Sequence, residues 1–320
     1  MPASPHLLIP YAGRGTPACR AALASLKLRN LERLMARLEL GADDTQDDTT
    51  LSPPHERALA AALGIAAPDG CIPWAAWQAR EADLPQALPG QAWSLMTLCH
   101  WQVGIDDAAL GDPQALGIGA EESAILFEAV RPFLAEDGIE LHPTPQPGRW
   151  LAQGRLFDGL ASASIDRAVG HPISDWSPLT EATRPLRRLQ NEIQMLLYTH
   201  PVNDARAERG LPAINSFWAS GTGALPANAA PAAAAPEVDQ RLRDAAVRDD
   251  SAAWAQAWQA LDAQRLPALL AEAERGAAIR LTLCGDRSAR SFTPRPGGFT
   301  AFAKRLFERA PASAELLGTL

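Results

Sequence analysis

The run HLLIPYAGRG, from His6 to Gly15, constrains this chain more than any other stretch. A short, nearly continuous apolar segment that stops at two glycines describes a parallel strand buried on both faces and feeding a loop. A helix is predicted behind it, because Leu28, Leu31, Leu34, Met35, Leu38 and Leu40 recur at three- and four-residue intervals, with Gly41 as a stop signal. Strand, glycine loop and helix in that order open an α/β fold, whose ligand sites lie beyond the carboxyl ends of the strands.

Further along, SPPHERALAAALG (Ser52 to Gly64) reads as a capped helix start, a helix-forming run and a glycine stop. Gly119 to Ala135 places Ile125, Leu126, Ala129, Val130, Phe133 and Leu134 on one helical face, with Glu121 and Glu122 in the first turn, where the dipole favours acids. Ala92 to Val103 and Arg149 to Ala152 look like strands, so residues 91–177 are expected to form a small α+β lobe inserted into a core made of 1–90 and 178–320. A helix from Pro185 to Tyr198, stopped by His200-Pro201, precedes a second core strand, Ala213 to Ala219, that ends in Ser220-Gly221-Thr222-Gly223. The Ala/Pro-rich stretch 224–237 reads as a flexible segment. A helix face of Trp254, Trp258 and Leu261, a break at Pro267, a strand from Ile279 to Cys284 and a last helix from Phe299 to Phe307 complete the pattern.

Composition narrows the function classes. The net charge is −8, and no stripe of basic residues interleaved with aromatics is present, which argues against a nucleic-acid partner. The acidic run Asp43 to Asp48 reads as a solvated loop. Four scattered cysteines, Cys19, Cys71, Cys99 and Cys284, have no metal-ligand spacing and read as buried free thiols. No secretory leader or apolar stretch of membrane-spanning length is apparent, so a cytoplasmic protein with no membrane partner is expected.

The segment LLYTHPVNDARAERGLPAINSFWASGTG (Leu196 to Gly223) resembles the archaeal-type cofactor-independent phosphoglycerate mutases of the alkaline-phosphatase-like superfamily. A helix, the HPVN tetrapeptide, an arginine-bearing turn and an Asn-x-x-Trp strand ending in Gly-x-Gly follow in the same order there. PPHERALAAALG, CHWQVG, RRLQNEIQMLLYTHPVN and LTLCGDRSARSF are most similar to a bacterial, proteobacterial group of RpfE-type regulatory and phosphoglycerate-mutase-like proteins. The resemblance implies an alkaline-phosphatase-like, mainly parallel sheet flanked by helices, with an inserted lobe.

It also implies phosphoryl transfer assisted by two divalent metals, and the residues that chemistry needs are changed. The first strand would end in a metal-binding aspartate, but the chain reads Tyr11-Ala12-Gly13-Arg14-Gly15; Arg14 can hold a phosphate and cannot ligate a metal. Pro54-His55-Glu56 stands where the family has its serine nucleophile. His55 is a candidate phosphoryl acceptor if a carboxylate such as Glu56 orients it, or it is a helix-start residue with a local hydrogen bond. The Asp-His that follows the last strand is Asp286-Arg287 here, leaving Asp286 as a metal-site remnant. The six histidines show no HxH or HxxxH spacing, and GxSxG, Walker and GxGxxG motifs are missing.

Two groups keep functional interest as residues. His200, Asn203 and Arg206 could converge with Asn215, Trp218 and Ser220 to hold a carboxylate or phosphate, or HPVN could simply build a turn. The Ser220-Gly-Thr-Gly stretch is an anion cradle or a plain turn, and Arg167 and Arg184 are further candidate anion contacts. The nine tryptophans fit core packing better than a stacking platform. The expectation is a phosphoglycerate-mutase-like pseudoenzyme that binds a phosphorylated or carboxylate metabolite, or a protein partner, with no cofactor. The alternative is a divergent mutase or phosphotransferase that uses relocated manganese or zinc ligands, or His55.

Overall fold

A computed structural model describes residues 5–104, 107–177, 180–227, 229, 235–295 and 312–320. The chain divides into two compact units, one of residues 1–49, 53–64 and 230–320 and the other of residues 50–52 and 65–229. The expected insertion boundaries at 91 and 177 differ from this division, in which the helix after Thr183 and the Asn215–Trp218 strand belong to the second unit.

The first unit is built on a five-stranded sheet. Its strands are β1 (His6–Ile9), β2 (Leu38–Thr45), β9 (Glu237–Val238), β10 (Arg280–Cys284) and β11 (Ser288–Pro294), in the spatial order β2-β11-β10-β1-β9. β1 runs parallel to β9 and β10, whereas β11 is antiparallel to both β10 and β2. The expected mainly parallel sheet is thus parallel over three strands and antiparallel beyond them. Leu7, Ile9, Leu281 and Leu283 face one core, where α1 (Pro17–Ser25), α2 (Arg29–Met35), α10 (Arg243–Val247), α11 (Ser251–Gln264) and α12 (Leu266–Glu274) pack. Leu8, Cys284 and Ala289 face the other side, against Ala58 and Leu59 of α3 (Pro54–Ala62). Burial on both faces explains the unbroken apolar run that marked β1.

The predicted helix through Leu40 is corrected. It ends at Met35, and Leu38 and Leu40 begin β2, which also takes Asp43 and Asp44 from the expected loop and leaves Asp47 and Asp48 beyond its end. β2 is an edge strand, and charge on an edge blocks pairing with another chain. Asp43 meets Arg290 at 3.0 Å, and Asp44 meets Arg57 at 2.7 Å.

The second unit holds an antiparallel sheet of β3 (Ala92–Cys99), β6 (Glu140–Pro143), β7 (Arg149–Gln153) and β8 (Ser216–Ala224), ordered β6-β7-β3-β8, plus the hairpin β4 (Trp101–Val103) and β5 (Ala108–Leu110). On one face, Met96, Leu98, Trp150 and Phe217 pack with Leu126, Val130 and Leu134 of α5 (Ala120–Glu136) and Leu189 and Ile193 of α8 (Arg184–Tyr198). Helix α4 (Trp74–Glu81) packs against β3 and β8. Ile125 and Phe133, expected to point inward from α5, are exposed instead. The short helices α6 (Ile165–Ala168) and α7 (Ile173–Trp176) precede α8, and α9 (Pro201–Glu208) follows it. The second expected core strand is therefore an antiparallel strand of this sheet, shifted to Ser216–Ala224.

The predicted helix at Phe299 to Phe307 and much of the Ala/Pro segment lie outside the described residues. All four cysteines are unpaired, and Cys71 is half-buried where full burial was expected. Among the described residues, no helix is long and apolar enough to cross a membrane.

Burial at the head of β1, with the Arg280 charge beside it, pushes His6 down to about 4 from its ordinary 6.5, while its Nε2 lies 2.8 Å from Thr282 Oγ1. A histidine that resists protonation when folded contributes stability that is fully present above pH 6.5 and lost as pH falls toward 4. The wild-type urea midpoint is expected to drop across that window, and His6→Gln to drop less, as read by circular dichroism at matched pH values.

Candidate functional site

The carboxyl ends of β1 and β10 adjoin in the first unit, and three residues singled out from the sequence meet there. Tyr11 leaves β1 in a left-handed backbone conformation, φ 55°, which is strained for an aromatic residue. The strain is held from behind: the indole N–H of Trp254 donates to the Tyr11 carbonyl at 2.9 Å and that of Trp258 to the Ala12 carbonyl at 3.1 Å. The Ala12 amide donates to the Cys284 carbonyl at 2.6 Å, tying the loop to the end of β10. So anchored, Arg14 donates from Nη1 to Asp286 Oδ1 at 2.6 Å, and the Gly15 amide donates to Oδ2 at 2.7 Å.

The Arg14 guanidinium also lies 5.9 Å from the centre of the Tyr11 ring, whose other neighbour is His55, with 5.3 Å between ring centres. His55 and Glu56 occupy the first turn of α3, with His55 buried. His55, Tyr11, Arg14 and Asp286 thus form one chain of contacts. In the sequence Tyr11 is indistinguishable from the end of an apolar strand, and its place two residues before Gly13 is the one local signal of a loop role.

This edge is covered. The last described helix, α13 (Ser313–Gly318), brings Leu317 and Leu320 over the loop, and the Leu320 carbonyl accepts from the Arg287 and Ser288 amides at 3.3 and 3.0 Å. A Cβ on Gly13 would stand 2.8 Å from Leu320 Cβ, and one on Gly285 would stand 2.5 Å from it. The glycines of the first loop therefore make room for protein as found here. Among the described residues, no three His, Cys, Asp or Glu side chains gather closely enough to hold a metal ion. At this edge the Asp286 carboxylate is paired with the Arg14 guanidinium and the Gly15 amide.

In the second unit, HPVN builds a helix start rather than a bare turn. The His200 Nδ1 caps α9 by accepting from the Val202 amide at 3.2 Å, with Pro201 in the first turn, where its missing N–H costs nothing. Asn203 is buried, and its amide group donates to the Leu197 and Ile214 carbonyls while its oxygen accepts from the Ile214 amide. Arg206, fully buried, donates to Pro212 and Leu116 carbonyls and to Glu122 at 2.8 Å. Burial opposes ionisation of Glu122, but Arg209, the Gly119 amide and Arg206 outweigh it and hold the carboxyl below its usual range. Asn215 bridges the amide and carbonyl of Trp101, and the Trp218 indole donates to the Ala163 carbonyl.

Ser220 lies within β8, not at its end, and is buried. Gly221 backs onto α4, where a Cβ would come 2.9 Å from that of Trp74, and the Thr222 hydroxyl donates to the Leu160 carbonyl. The expected strand-end cradle is filled by protein. Arg167 donates to Thr50 Oγ1 at 3.0 Å and lies 5.8 Å from the Trp176 ring centre. His200, Asn203, Arg206, Asn215 and Trp218 are thereby bound to backbone groups instead of sharing one anion pocket.

No protein-family model matches the chain, and no curated protein sequence matches it significantly. Among solved structures, it is similar to the PH0037 protein from Pyrococcus horikoshii, with 12% identity, a TM-score of 0.48 and coverage of 94% of this chain and 90% of that one. It is also similar to the cofactor-independent phosphoglycerate mutase from Thermoplasma acidophilum DSM 1728, with 15% identity, a TM-score of 0.37 and coverage of 97% and 94%.

Two substitutions separate architecture from function in the second unit. Arg206→Leu strands two buried carbonyls and should cost about 3 kcal/mol or more. His200→Ala removes one cap and should cost about 1 kcal/mol. Urea unfolding of both variants checks the order. In the first unit, Gly285→Ala forces a Cβ into Leu320 and should destabilise by about 1–3 kcal/mol, with faster amide exchange at Leu316 and Leu317 as the local readout.

Proposed function

We propose that this is a phosphoglycerate-mutase-like protein that works by binding a phosphorylated or carboxylate metabolite, or a protein partner, without two-metal catalysis. The observation that carries the reading is the Arg14–Asp286 pair. Each oxygen of the Asp286 carboxylate accepts a hydrogen bond, one from the Arg14 guanidinium and one from the Gly15 amide, so the charge of this acid is matched by an arginine. A cation placed where the resembled family needs an acid also repels a metal, while it favours an anion. The same reading accounts for the sequence at this edge, where Tyr11 and Arg14 replace the metal-binding pattern.

A second reading, a phosphotransferase acting through His55, is favoured by the ring contact with Tyr11, which in turn neighbours Arg14. In that step an imidazole nitrogen would attack phosphorus, the bond to the leaving oxygen would break, and Arg14 would offset the charge on the phosphoryl oxygens.

The protein purified without chelators should carry less than 0.2 equivalents (~0.2, against two for a two-metal site) of manganese and zinc by elemental analysis, and should not interconvert 2- and 3-phosphoglycerate when either metal is added. Two bound equivalents with mutase turnover would defeat the binding reading. Transfer of labelled phosphate to the protein as an acid-labile adduct that His55→Asn abolishes would instead establish the second one.

A further inference from the structure

A cavity of about 530 Å³ lies in the second unit, walled by the first turns of α8, by Trp101 of the β4–β5 hairpin and by Ile173 and Ser174 of α7. Pockets of a few hundred cubic ångströms suit small organic ligands. The walls are tied to one another: Ser174 Oγ donates to Asp107 at 2.5 Å, and Ala109 bridges to Pro172.

The charge placed here runs against helix physics. Leu186, Leu189, Ile193 and Leu197 turn one face of α8 into the core, and the opposite stripe carries Arg184, Arg187, Arg188 and Met195 toward the cavity. The first turn of α8 contains no acid. A helix N-terminus already carries a partial positive charge and unsatisfied N–H groups, so three guanidiniums in its first five residues are unfavourable unless an anion joins them.

Internal acids hold one of the three closely. Arg188 is held by Asp137 at 2.5 Å and Glu192 at 3.0 Å. Arg184, by contrast, reaches Glu181 only at 3.6 Å, with both side chains largely exposed. Arg187 makes one long bond to the Thr180 carbonyl, 3.4 Å, and its Nε is buried with no partner among the described residues. Arg184 and Arg187 therefore face the same space with only weak internal partners. The apolar part of the lining is Trp101 and Ile173, together with Met195 further along α8, 76% exposed and beside Glu192.

We propose that this cavity binds a small organic anion, a phosphate ester or carboxylate borne on an aromatic or branched apolar body. Arg184 and Arg187 take the anionic group, since a planar guanidinium presents paired donors to such oxygens. Trp101, Ile173 and Met195 receive the apolar body. The site stands independently of the first unit, so it holds whether or not that unit is catalytic.

Titration of the full chain with phenyl phosphate, inorganic phosphate and phenol tests it, followed by calorimetry and by the Met195 methyl resonance. Phenyl phosphate should saturate one site and move that resonance. Inorganic phosphate and phenol should each bind at least about tenfold more weakly, the loss expected when one of two recognised groups is missing. The double variant R184Q/R187Q should weaken phenyl phosphate by a similar factor and flatten its salt dependence. Met195→Glu, at an exposed position, should weaken it without altering the urea midpoint. Wild-type protein that fails to bind phenyl phosphate, equal binding by wild type and R184Q/R187Q, or inorganic phosphate binding as tightly as the ester would each overturn the proposal.

Discussion

The Arg14–Asp286 pair is the constraint from which the rest of the first unit follows. Two residues 272 positions apart are joined at 2.6 Å because β1 and β10 lie side by side and end at the same level. For Arg14 to reach that point, Tyr11 must hold a left-handed backbone, and Trp254 and Trp258 must fix the two carbonyls behind it. Helix α11 supplies both tryptophans four residues apart, so one helical face sets the geometry of the loop. In other open α/β sheets this edge is where ligands enter. Here its polar groups bind one another, and Leu317 and Leu320 lie over its glycines.

The second unit repeats the pattern with different residues. Asn203, Arg206, Asn215 and Trp218 look like a recognition cluster in the sequence, and each binds backbone carbonyls or amides that would otherwise be buried and unpaired. Leaving such groups unpaired costs about 1–3 kcal/mol apiece, so polar side chains in these places follow from the architecture alone. Conversely, the start of α8 gathers positive charge in a place where folding would favour acids. A requirement of the architecture accounts for the first group and does not account for the second.

Helices α3, α5, α8 and α11 were legible from apolar spacing to within a few residues, as was β1 from its unbroken apolar run. Periodicity and glycine stops are properties of a few neighbouring residues, and secondary structure obeys them directly. β2 was not legible. An alternation of exposed acids and glycine has no strand signal of its own, and it becomes a strand only because β11 pairs with it and Arg57 and Arg290 neutralise Asp44 and Asp43. The candidate site was half legible. Arg14, His55 and Asp286 were recognised as departures from a catalytic pattern, yet Tyr11, which stands between two of them, was not.

By itself the sequence determined the α/β class, the buried first strand, the glycine loop and the amphipathic helices, because each depends on residue types within one turn or one strand. Only the tertiary structure decided how far the sheet is parallel, which arginine meets which acid, and whether HPVN serves a ligand or a helix cap. Those outcomes depend on groups brought together from distant positions, and the partner that satisfies a polar side chain is not encoded next to it.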